Sequence, residues 1–373
     1  MARPLLFTPL KLRDLTLRNR AVVSPMCQYR AVEGHVEDWH YAHHARFALG
    51  GVGTSFLEAT AVTPEGRITH GCTGIWSDSQ IPGLRRIADL YRQHGVVPAI
   101  QIGHAGRKAS CERPFDGGAP IGRAAGPEAR WQTVAPSAIA QQDGHPVPHA
   151  LSAAEIETMI DAFTAATRRA LAAGFEIVEV HGAHGYLIHS FFSPLSNART
   201  DAFGGSAEKR MRFPLMVAEA VRAAWPADRP VFYRASVTDG IEGGVTPEDT
   251  VALARELKRI GIDVIDCSAG GLKGPVTMAS TRLKPGFQVP LSEAVKRGAD
   301  IATMAVGAIL TGPQAEAILS AGRTDLVALG REMLSDPSWC YRAALALGIE
   351  RPYDVLPQAF GFFLERRAAV LDA

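Results

Sequence analysis

The sequence carries almost no net charge, which excludes two classes of partner. Lys and Arg total 39 against 38 Asp and Glu in a chain of 373 residues. No global basic field therefore exists to attract nucleic acid or an anionic membrane. No apolar run reaches the roughly 18 residues of a membrane span, and Pro and charged side chains interrupt the first 20 residues before a signal-peptide core can form. We expect a cytoplasmic protein that binds a small-molecule substrate, no nucleic acid and no membrane.

Cysteine is also scarce, and its positions are scattered. The five cysteines make no CxxC pair and no cluster with metal-ligand spacing; they are Cys27, Cys72, Cys111, Cys267 and Cys340. This pattern fits a reducing cytoplasm and predicts no bound metal. Internal repeats, low-complexity tracts and a polar hinge are missing as well, so we expect a single domain over residues 1–373.

What the chain does contain is an alternation of short β-rich apolar runs with amphipathic helical stretches. Residues 152–174 open with Ser152 as a helix cap and a Glu three residues later, and residues 246–261 repeat the device and end on Gly. This alternation predicts a parallel sheet, and eight units favour a closed (β/α)8 TIM barrel of the α/β class over an open doubly wound sheet. The eight runs are residues 20–26, 53–62, 97–107, 175–186, 230–237, 263–271, 299–307 and 326–332.

Two long connections follow predicted strands. Residues 111–148 are rich in Gly, Pro and Ala and lack periodicity, so we interpret them as a loop excursion after the third strand. Residues 187–205 form a second excursion, after the fourth strand. Barrel active sites are built from loops at the carboxyl ends of the strands, so the chemistry is expected beside these connections.

The stretch HGAHGY, residues 181–186, comes where the fourth run ends. Because side chains alternate faces along a strand, we expect one face to carry Phe175, Ile177, Glu179 and His181. That places His181 at the carboxyl-terminal lip of the strand and His184 on the turn beyond it. Two imidazoles converging there could bind a metal, act as a base or donate hydrogen bonds to one oxygen.

These alternatives are not equally supported by the residues. A metal site lacks a third ligand in the local sequence, because His189 stands too far along a loop. A structural role, in which both imidazoles satisfy buried polar neighbours, stays open. The oxygen-binding pair is the favoured interpretation, with Tyr186 as a nearby proton donor. A second group, His40, His43 and His44, has helical spacing, and we interpret it as a helix with partly exposed imidazoles.

Motifs spread over nearly the whole chain carry a family resemblance. They are SPMCQY (24–29), LEATAVTPEGRIT (57–69), GIWSD (74–78), QIGHAGRKAS (101–110), HGAHGYLIHSFFSPLSNARTDAFGGS (181–206), DCSAGG (266–271), AVG (305–307) and GRE (330–332). Together they resemble the Old Yellow Enzyme family of flavin-dependent ene-reductases, in the branch of xenobiotic reductases and thermophilic-like enzymes. The resemblance implies a (β/α)8 barrel that carries non-covalent FMN at its carboxyl-terminal face and is reduced by NADPH or NADH.

The resemblance also implies a cofactor site. Arg234 would lie against the N1 and O2 edge of the flavin, where reduction adds negative charge, and Gln101 would hydrogen-bond the pyrimidine. A thiol is a weak hydrogen-bond partner, so Cys27 would modulate the flavin potential and would not act as a nucleophile. The phosphate would be cradled by Ser268, Gly270, Gly307, Gly330 and Arg331. The isoalloxazine ring would be lined by Pro25, Met26, Cys27 and Ala59, and Ser24 would also bind the cofactor.

The same resemblance gives HGAHGY a role in reducing activated alkenes. His181 and His184 would donate hydrogen bonds to the carbonyl or nitro oxygen of the substrate while reduced FMN gives hydride to the β-carbon. Tyr186 would protonate the α-carbon from the opposite face, and Tyr29 would add a polar contact. The expected substrates are enones, maleimides and nitroalkenes, with nitro compounds as a further class.

Two other functions remain open at this point. The first is a flavin barrel that works as a desaturase or an acyl-CoA reductase. The related dienoyl-CoA reductases and amine dehydrogenases are larger and carry a cysteine cluster for iron–sulfur, which this sequence lacks. The second is a flavin-binding redox sensor without turnover.

The tail, AFGFFLERRAAV at residues 359–370, places aromatic residues beside a basic pair. A frayed amphipathic C-terminus is the plain interpretation, yet exposed aromatic groups often mark an interface. The resemblance implies that Arg366 reaches the neighbouring subunit's active site and that Phe363 lines that pocket. We therefore expect residues 359–373 at a subunit interface, in a homodimer or a higher homo-oligomer built from dimers.

Overall fold

Eight parallel strands close into a barrel in the computed structural model, which describes residues 3–273 and 284–371. In chain order they are β1 (Ala21–Val23), β2 (Thr54–Ala61), β3 (Val97–Gly103), β4 (Ile177–Gly182), β5 (Val231–Ser236), β6 (Val264–Ser268), β7 (Ala302–Val306) and β8 (Leu326–Leu329). Neighbouring strands in the sequence pair with each other, and β8 pairs with β1 to complete the ring. The predicted (β/α)8 barrel is confirmed, and each predicted run contains one of these strands.

Helices surround the barrel, and both helices predicted at residues 152–174 and 246–261 are present. The Ser152 hydroxyl accepts the N–H of Glu155 while the Glu155 carboxylate accepts the N–H of Ser152, so the predicted cap is confirmed. Gly261 ends its helix in the left-handed conformation, with φ 102°. The helices are α1 (Asp38–Ala48), α2 (Ile81–Gln93), α3 (Ala153–Ala172), α4 (Leu187–Phe192), α5 (Ala207–Ala224), α6 (Pro247–Ile260), α7 (Val289–Ala299), α8 (Gly312–Ser320), α9 (Arg331–Ser335), α10 (Trp339–Ala346) and α11 (Gln358–Leu371). Among the described residues, none of them combines the length and apolar character needed to cross a bilayer.

The inside of the barrel is apolar toward the amino ends of the strands. Ile177, Phe232 and Val264 belong there to one buried cluster, which also contains Leu12 and Leu17. The two leucines come from a short antiparallel hairpin formed by Leu10–Leu12 and Leu15–Leu17. Burial of these side chains supplies the hydrophobic free energy that holds this end of the barrel together.

Further along the same strands the inward positions become polar. Two residues after the apolar cluster, the strands carry Glu179 on β4, Arg234 on β5 and Asp266 on β6, all buried. The next step of the alternation brings His181 and Ser268 to the carboxyl ends of β4 and β6. Because inward-facing residues recur every two positions, the carboxyl end of the barrel interior is lined by polar side chains and the amino end by apolar ones.

The expected placement of Phe175 on this inner face is wrong. Phe175 precedes β4 and packs in the outer cluster between strands and helices, whereas Ile177 lies in the inner cluster. Alternation holds only where the chain is extended, and the strand begins at Ile177.

The two excursions differ in structure. Residues 111–148 contain a short turn at Pro114–Asp116 and a two-residue strand, Val134–Ala135, that pairs with His149–Ala150. The excursion after β4 is not a plain loop, because it begins with α4, whose six residues are all buried. The apolar side chains of that helix pack into the outer core, which the missing periodicity of so short a segment concealed.

Candidate active site

His181, His184 and Tyr186 form a cluster of three rings at the carboxyl end of β4. The ring centroids of the two histidines are 5.2 Å apart at an interplanar angle of 88°. The Tyr186 ring lies 4.9 Å from His181 and 6.4 Å from His184, edge to face in both cases. His184 reaches this position through a left-handed backbone, φ 61°, which turns the chain back toward the strand end.

The turn that carries His184 is tied to three other strand ends. Its N–H donates to the Ser236 hydroxyl at 2.9 Å, and that hydroxyl donates to the carbonyl of Gly270 at 2.8 Å. The Lys108 ammonium donates to the carbonyl oxygens of His184 at 3.0 Å and Gly271 at 2.6 Å. These bonds satisfy buried backbone groups and fix the position of the imidazole.

His189 has a structural role in this region. Its Nδ1 accepts the N–H of Gly185 at 2.8 Å, and its Nε2 lies 3.0 Å from Oδ1 of the buried Asp239. Asp239 also accepts the hydroxyl of Ser193 and the N–H of Val245, which fixes it firmly. Within residues 3–273 and 284–371 no group of three or more His, Cys, Asp and Glu is arranged to hold a metal ion.

The imidazole rings of His181 and His184 are both neutral. Burial, followed by the nearby charge of Arg234, holds the pKa of His181 and of His184 well below 6.5. The N–H of Ala183 lies 3.4 Å from Nδ1 of His181, which leaves the proton of that neutral ring on Nε2. Burial also raises the pKa of Tyr186 well above 10, so its hydroxyl keeps its proton. The cluster therefore offers hydrogen-bond donors without net charge.

Below the rings, Arg234 and Gln101 are each bound to a buried acid. Arg234 Nε lies 3.0 Å from Oδ2 of Asp266, and the guanidinium also donates to the Ser268 hydroxyl at 3.0 and 3.1 Å. Gln101 Nε2 donates to Oε1 of Glu179 at 2.7 Å. These groups come from four consecutive strands, β3 to β6, and present one cation and one amide at the carboxyl end of the barrel.

Positions predicted to cradle a phosphate lie at the ends of β6, β7 and β8. Ser268 ends β6, Gly270 follows it with φ 71°, and Gly307 follows β7 with φ 116°. Gly330 precedes α9 and its helical first residue Arg331. A Cβ at Gly307 would come within 2.8 Å of Phe287 and Gln288, so only glycine fits there. Glycine-rich strand ends suit an anionic group, although the N–H of Gly270 donates to the carbonyl of Thr238 at 2.8 Å.

Residues predicted to line a flavin ring follow β1 and lie on β2. The N–H of Ser24 donates to Leu329 O at 3.0 Å, which ties the start of the segment Ser24, Pro25, Met26, Cys27 to β8. A Cβ at Gly330 would lie 3.7 Å from the sulfur of Met26, so this segment borders the phosphate positions. Ala59 sits where the register of β2 against β3 shifts.

Cys27 keeps its proton. The residue is only half-buried, yet desolvation of the sulfur and then the charge of Glu58 raise its pKa well above 9. A thiolate is required for nucleophilic attack, so this setting argues against a covalent role. The Glu58 carboxylate also accepts the N–H of Gln28 at 2.8 Å, which fixes the backbone beside the thiol.

The excursion at 111–148 meets the predicted substrate side of the site at Tyr29. Tyr29 has a left-handed backbone, φ 56°, and its carbonyl accepts Arg113 Nε at 3.3 Å. Its ring packs edge to face against Phe115 with centroids 6.2 Å apart. Arg113 is in turn paired with Glu128 at 2.7 Å, inside the excursion. The excursion therefore sets the conformation of Tyr29.

The interpretation of His40, His43 and His44 as partly exposed is wrong. All three lie on α1 and are buried. His40 Nε2 lies 3.3 Å from Oε1 of Glu58, and His44 Nδ1 lies 2.5 Å from the Tyr91 hydroxyl. Spacing of three and four residues puts these rings on one helix face, and the polar partners of His40 and His44 allow that face to be buried.

Four further residues of the site have no role assigned from the sequence, although Glu179 is predicted on the inward face of its strand. They are Glu179, Asp266, Lys108 and Ser236, and each contacts a predicted site residue. Strand alternation gives a signal for Glu179, because it lies between Ile177 and His181 on the inward face. The partners of Lys108 are backbone carbonyls, which no sequence pattern marks.

The tail residues lie on α11, whose main contacts run to the turn at Pro352–Val355. Phe363 is 69% exposed, and the Arg366 guanidinium stacks 3.9 Å from the ring centroid of Phe362 on the same helix. Within one chain these residues are therefore not part of the histidine cluster. The last residues of the tail, 372–373, lie outside the described residues.

Comparison with known proteins places this barrel in a family. Residues 5–349 match the NADH:flavin oxidoreductase / NADH oxidase family, so the chain belongs to that family and the predicted Old Yellow Enzyme relationship is confirmed. It is an enzyme, a flavin oxidoreductase. It is 45% identical over 346 residues to an NADPH dehydrogenase of Geobacillus sp. (strain WCH70), covering 92% of this chain and 95% of the relative.

Two solved structures share the architecture. Morphinone reductase superposes with a TM-score of 0.76 at 27% identity, over 92% of this chain and 90% of that one. A 2-naphthoyl-CoA reductase superposes with a TM-score of 0.81 at 27% identity, over 94% of this chain. The chain spans only 53% of that longer reductase.

Proposed function

We propose that the chain is an FMN-dependent ene-reductase that uses NADPH to reduce activated alkenes such as enones, maleimides and nitroalkenes. The observation that carries this proposal is the convergence of His181, His184 and Tyr186 at the end of a barrel that also presents the Arg234 guanidinium. NADPH is favoured as the reductant because the Geobacillus relative is an NADPH dehydrogenase.

The residues present fit FMN. When bound, FMN would supply hydride transfer, first as acceptor from the nicotinamide and then as donor to the alkene. Arg234 would face the edge of the ring that becomes negative on reduction, since a buried anion needs a cation. Gln101 would hydrogen-bond the pyrimidine. The phosphate would be held by Ser268, Gly270, Gly307, Gly330 and Arg331. The ring would be lined by Pro25, Met26, Cys27 and Ala59, with Ser24 as a further cofactor-binding residue.

His181 and His184 polarise the substrate in this mechanism. Because both imidazoles are neutral, each donates an N–H to the carbonyl or nitro oxygen without losing a proton. Negative charge grows on that oxygen as the β-carbon accepts hydride, and donors fixed in a dry site stabilise it. The rigid turn around His184 matters here, because donors that are already in place need no reorganisation.

Tyr186 completes the reaction by giving a proton to the α-carbon. Its ring is held against His181 and packs on Ala105 and Ala109, so its hydroxyl has a fixed place beside the histidine pair. Its raised pKa keeps the proton on the hydroxyl until the proton is transferred to the α-carbon. Tyr29 adds a polar contact to the substrate from the loop after β1.

One anaerobic experiment tests the proposal. The protein is expected to purify with about one FMN per chain, to be bleached by NADPH and to recover its oxidised spectrum when 2-cyclohexen-1-one is added. Protein that stays colourless and does not bind added FMN would end the proposal. Flavin that NADPH reduces but no alkene reoxidises would instead favour a redox sensor.

A second candidate function is an acyl-CoA reductase, which the likeness to 2-naphthoyl-CoA reductase favours. The same assay discriminates the two functions if an aromatic acyl-CoA thioester is offered beside the enone. Faster reoxidation by the thioester than by the enone would support this candidate. We favour the enone because the chain spans about half of that reductase and has no cysteine cluster in its sequence.

A further inference from the structure

The barrel interior holds two acids and one cation close together. Glu179 and Asp266 are both fully buried, and Arg234 is nearly so. A single guanidinium can balance only one of the two carboxylates. An unpaired ionised carboxylate in a protein interior is very costly, so one of the acids must be neutral or must find another cation.

The geometry decides which acid is paired. Oδ2 of Asp266 lies 3.0 Å from Arg234 Nε. Glu179 forms no ion pair with any Lys, Arg or His among the described residues, and its hydrogen-bond partner is the uncharged amide of Gln101, 2.7 Å away. Its second oxygen, Oε2, is buried without a hydrogen-bond partner in the described part of the chain. Both Asp266 oxygens also lack a hydrogen bond there, so the nearby charge of Arg234 is what distinguishes the two acids.

We propose that Glu179 is held as a neutral carboxylic acid that positions Gln101, while Asp266 is the charged partner of Arg234. This inference rests on the proposed flavin site, because Gln101 is the residue through which Glu179 acts on the cofactor. Burial and then the negative charge of Asp266 raise the pKa of Glu179 well above its usual range, in the direction that the contacts require.

A neutral acid serves such a site better than a carboxylate. Its carbonyl oxygen accepts the Gln101 N–H and so fixes the amide. It adds no negative charge beside a ring that itself becomes an anion on reduction. The positive charge of Arg234 therefore acts on the ring without being offset by a second carboxylate. Its protonated oxygen, unlike a carboxylate oxygen, is also a donor for a ligand or water.

Glu179→Gln is the decisive variant, because glutamine has the shape of the neutral acid and no charge. If Glu179 is neutral, the flavin midpoint potential should change by less than about 15 mV, a roughly threefold change in the relative affinity for reduced and oxidised flavin. If Glu179 is anionic, removing its charge should raise the potential by about 30 mV or more, which is tenfold, and that result would overturn the proposal. Glu179→Leu, which cannot accept the Gln101 N–H, should weaken FMN binding by about tenfold, whereas unaltered FMN binding would contradict the positioning role.

A measurement on the protein without flavin separates this inference from the proposed function. Infrared spectroscopy of the wild-type protein at neutral pH should show a carboxylic-acid C=O band that is missing from Glu179→Gln. No difference band at this position would show that Glu179 is ionised. Should the wild-type protein bind no FMN, the proposed function fails, while the infrared comparison still decides the protonation of Glu179.

Discussion

The ammonium of Lys108 holds the backbone of His184, with Nζ 3.0 Å from the His184 carbonyl oxygen. The same Nζ lies 2.6 Å from the carbonyl oxygen of Gly271 and 5.5 Å from the centroid of the Tyr186 ring. One buried cation thus connects the loops after β3, β4 and β6. The proposed donors of the site depend on it for their positions.

Lys108 should make stability depend on pH in the alkaline range. Burial, and then the charge of Arg107, lower its pKa from 10.5 to about 8. Between these values the unfolded chain binds a proton that the folded chain does not, so stability rises with pH. Compared with Lys108→Met, the wild-type protein should gain up to about 3 kcal/mol in the free energy of unfolding across this window.

Urea unfolding of both proteins at a series of pH values measures this difference. Lys209→Met, at an exposed position of α5, is the matched control and should show no such pH dependence relative to wild type. The difference in the free energy of unfolding between wild type and Lys108→Met could instead stay flat or fall with pH. That result would show that the folded protein does not lower the pKa of Lys108.

The histidine pair should give no imidazole signature in the pH profile of alkene reduction. Burial and Arg234 keep both pKa values well below 6.5, so both rings stay neutral as the pH changes. The rate constant for reoxidation of reduced flavin by an enone should therefore be level between about pH 5 and 7, below the pKa of Lys108. Stopped-flow measurement of that half-reaction checks this. A titration near 6.5 that disappears in His184→Ala would mean that the imidazolium takes part.

Tyr186→Phe should separate alkene reduction from nitro reduction. An alkene needs a proton on carbon, whereas water can protonate the oxygen or nitrogen of a nitro group. The variant should therefore lose roughly 10²-fold or more in rate with an enone and much less with a nitro compound. Steady-state rates with both substrates on one preparation provide the comparison. Equal slowing with the two substrates would assign the tyrosine to packing.

The tail should act across a subunit interface. Deleting residues 359–373 should raise substrate KM and weaken the proposed homodimer together, because Phe363 is exposed in the single chain and Arg366 stacks on Phe362 of its own helix. Sedimentation and steady-state kinetics measure the two effects. Arg366→Ala should raise KM, and Arg367→Ala, a change of the neighbouring exposed arginine, should not. A truncated protein that stays dimeric with normal kinetics would exclude a shared site.

The barrel and the histidine cluster can be predicted from the sequence for a physical reason. Strand alternation and helix caps are local properties, and eight units of the same kind leave few ways to close a sheet. His181 could be placed at the strand end by counting from Ile177. The buried face of α1 was misjudged because spacing shows which side chains share a face, but not what covers that face.

The groups that hold the site could not be predicted in the same way. Lys108 bonds two backbone carbonyls, and Ser236 bonds a backbone N–H and a carbonyl, and these partners become neighbours only when the loops meet. Which of Glu179 and Asp266 pairs with Arg234 depends on a distance between three strands. Such contacts are long-range in sequence, and a local pattern contains no trace of them.

The most direct measurement follows the two half-reactions of the double variant His181→Ala and His184→Ala under anaerobic conditions. If the imidazoles bind the substrate oxygen, reoxidation by 2-cyclohexen-1-one should collapse, with each lost donor costing roughly 10² to 10³ in rate. Reduction of the flavin by NADPH should remain partly intact, and FMN content should match wild type. Equal loss in both half-reactions, or loss of the flavin itself, would show that the histidine pair serves cofactor binding and not the polarisation of the substrate.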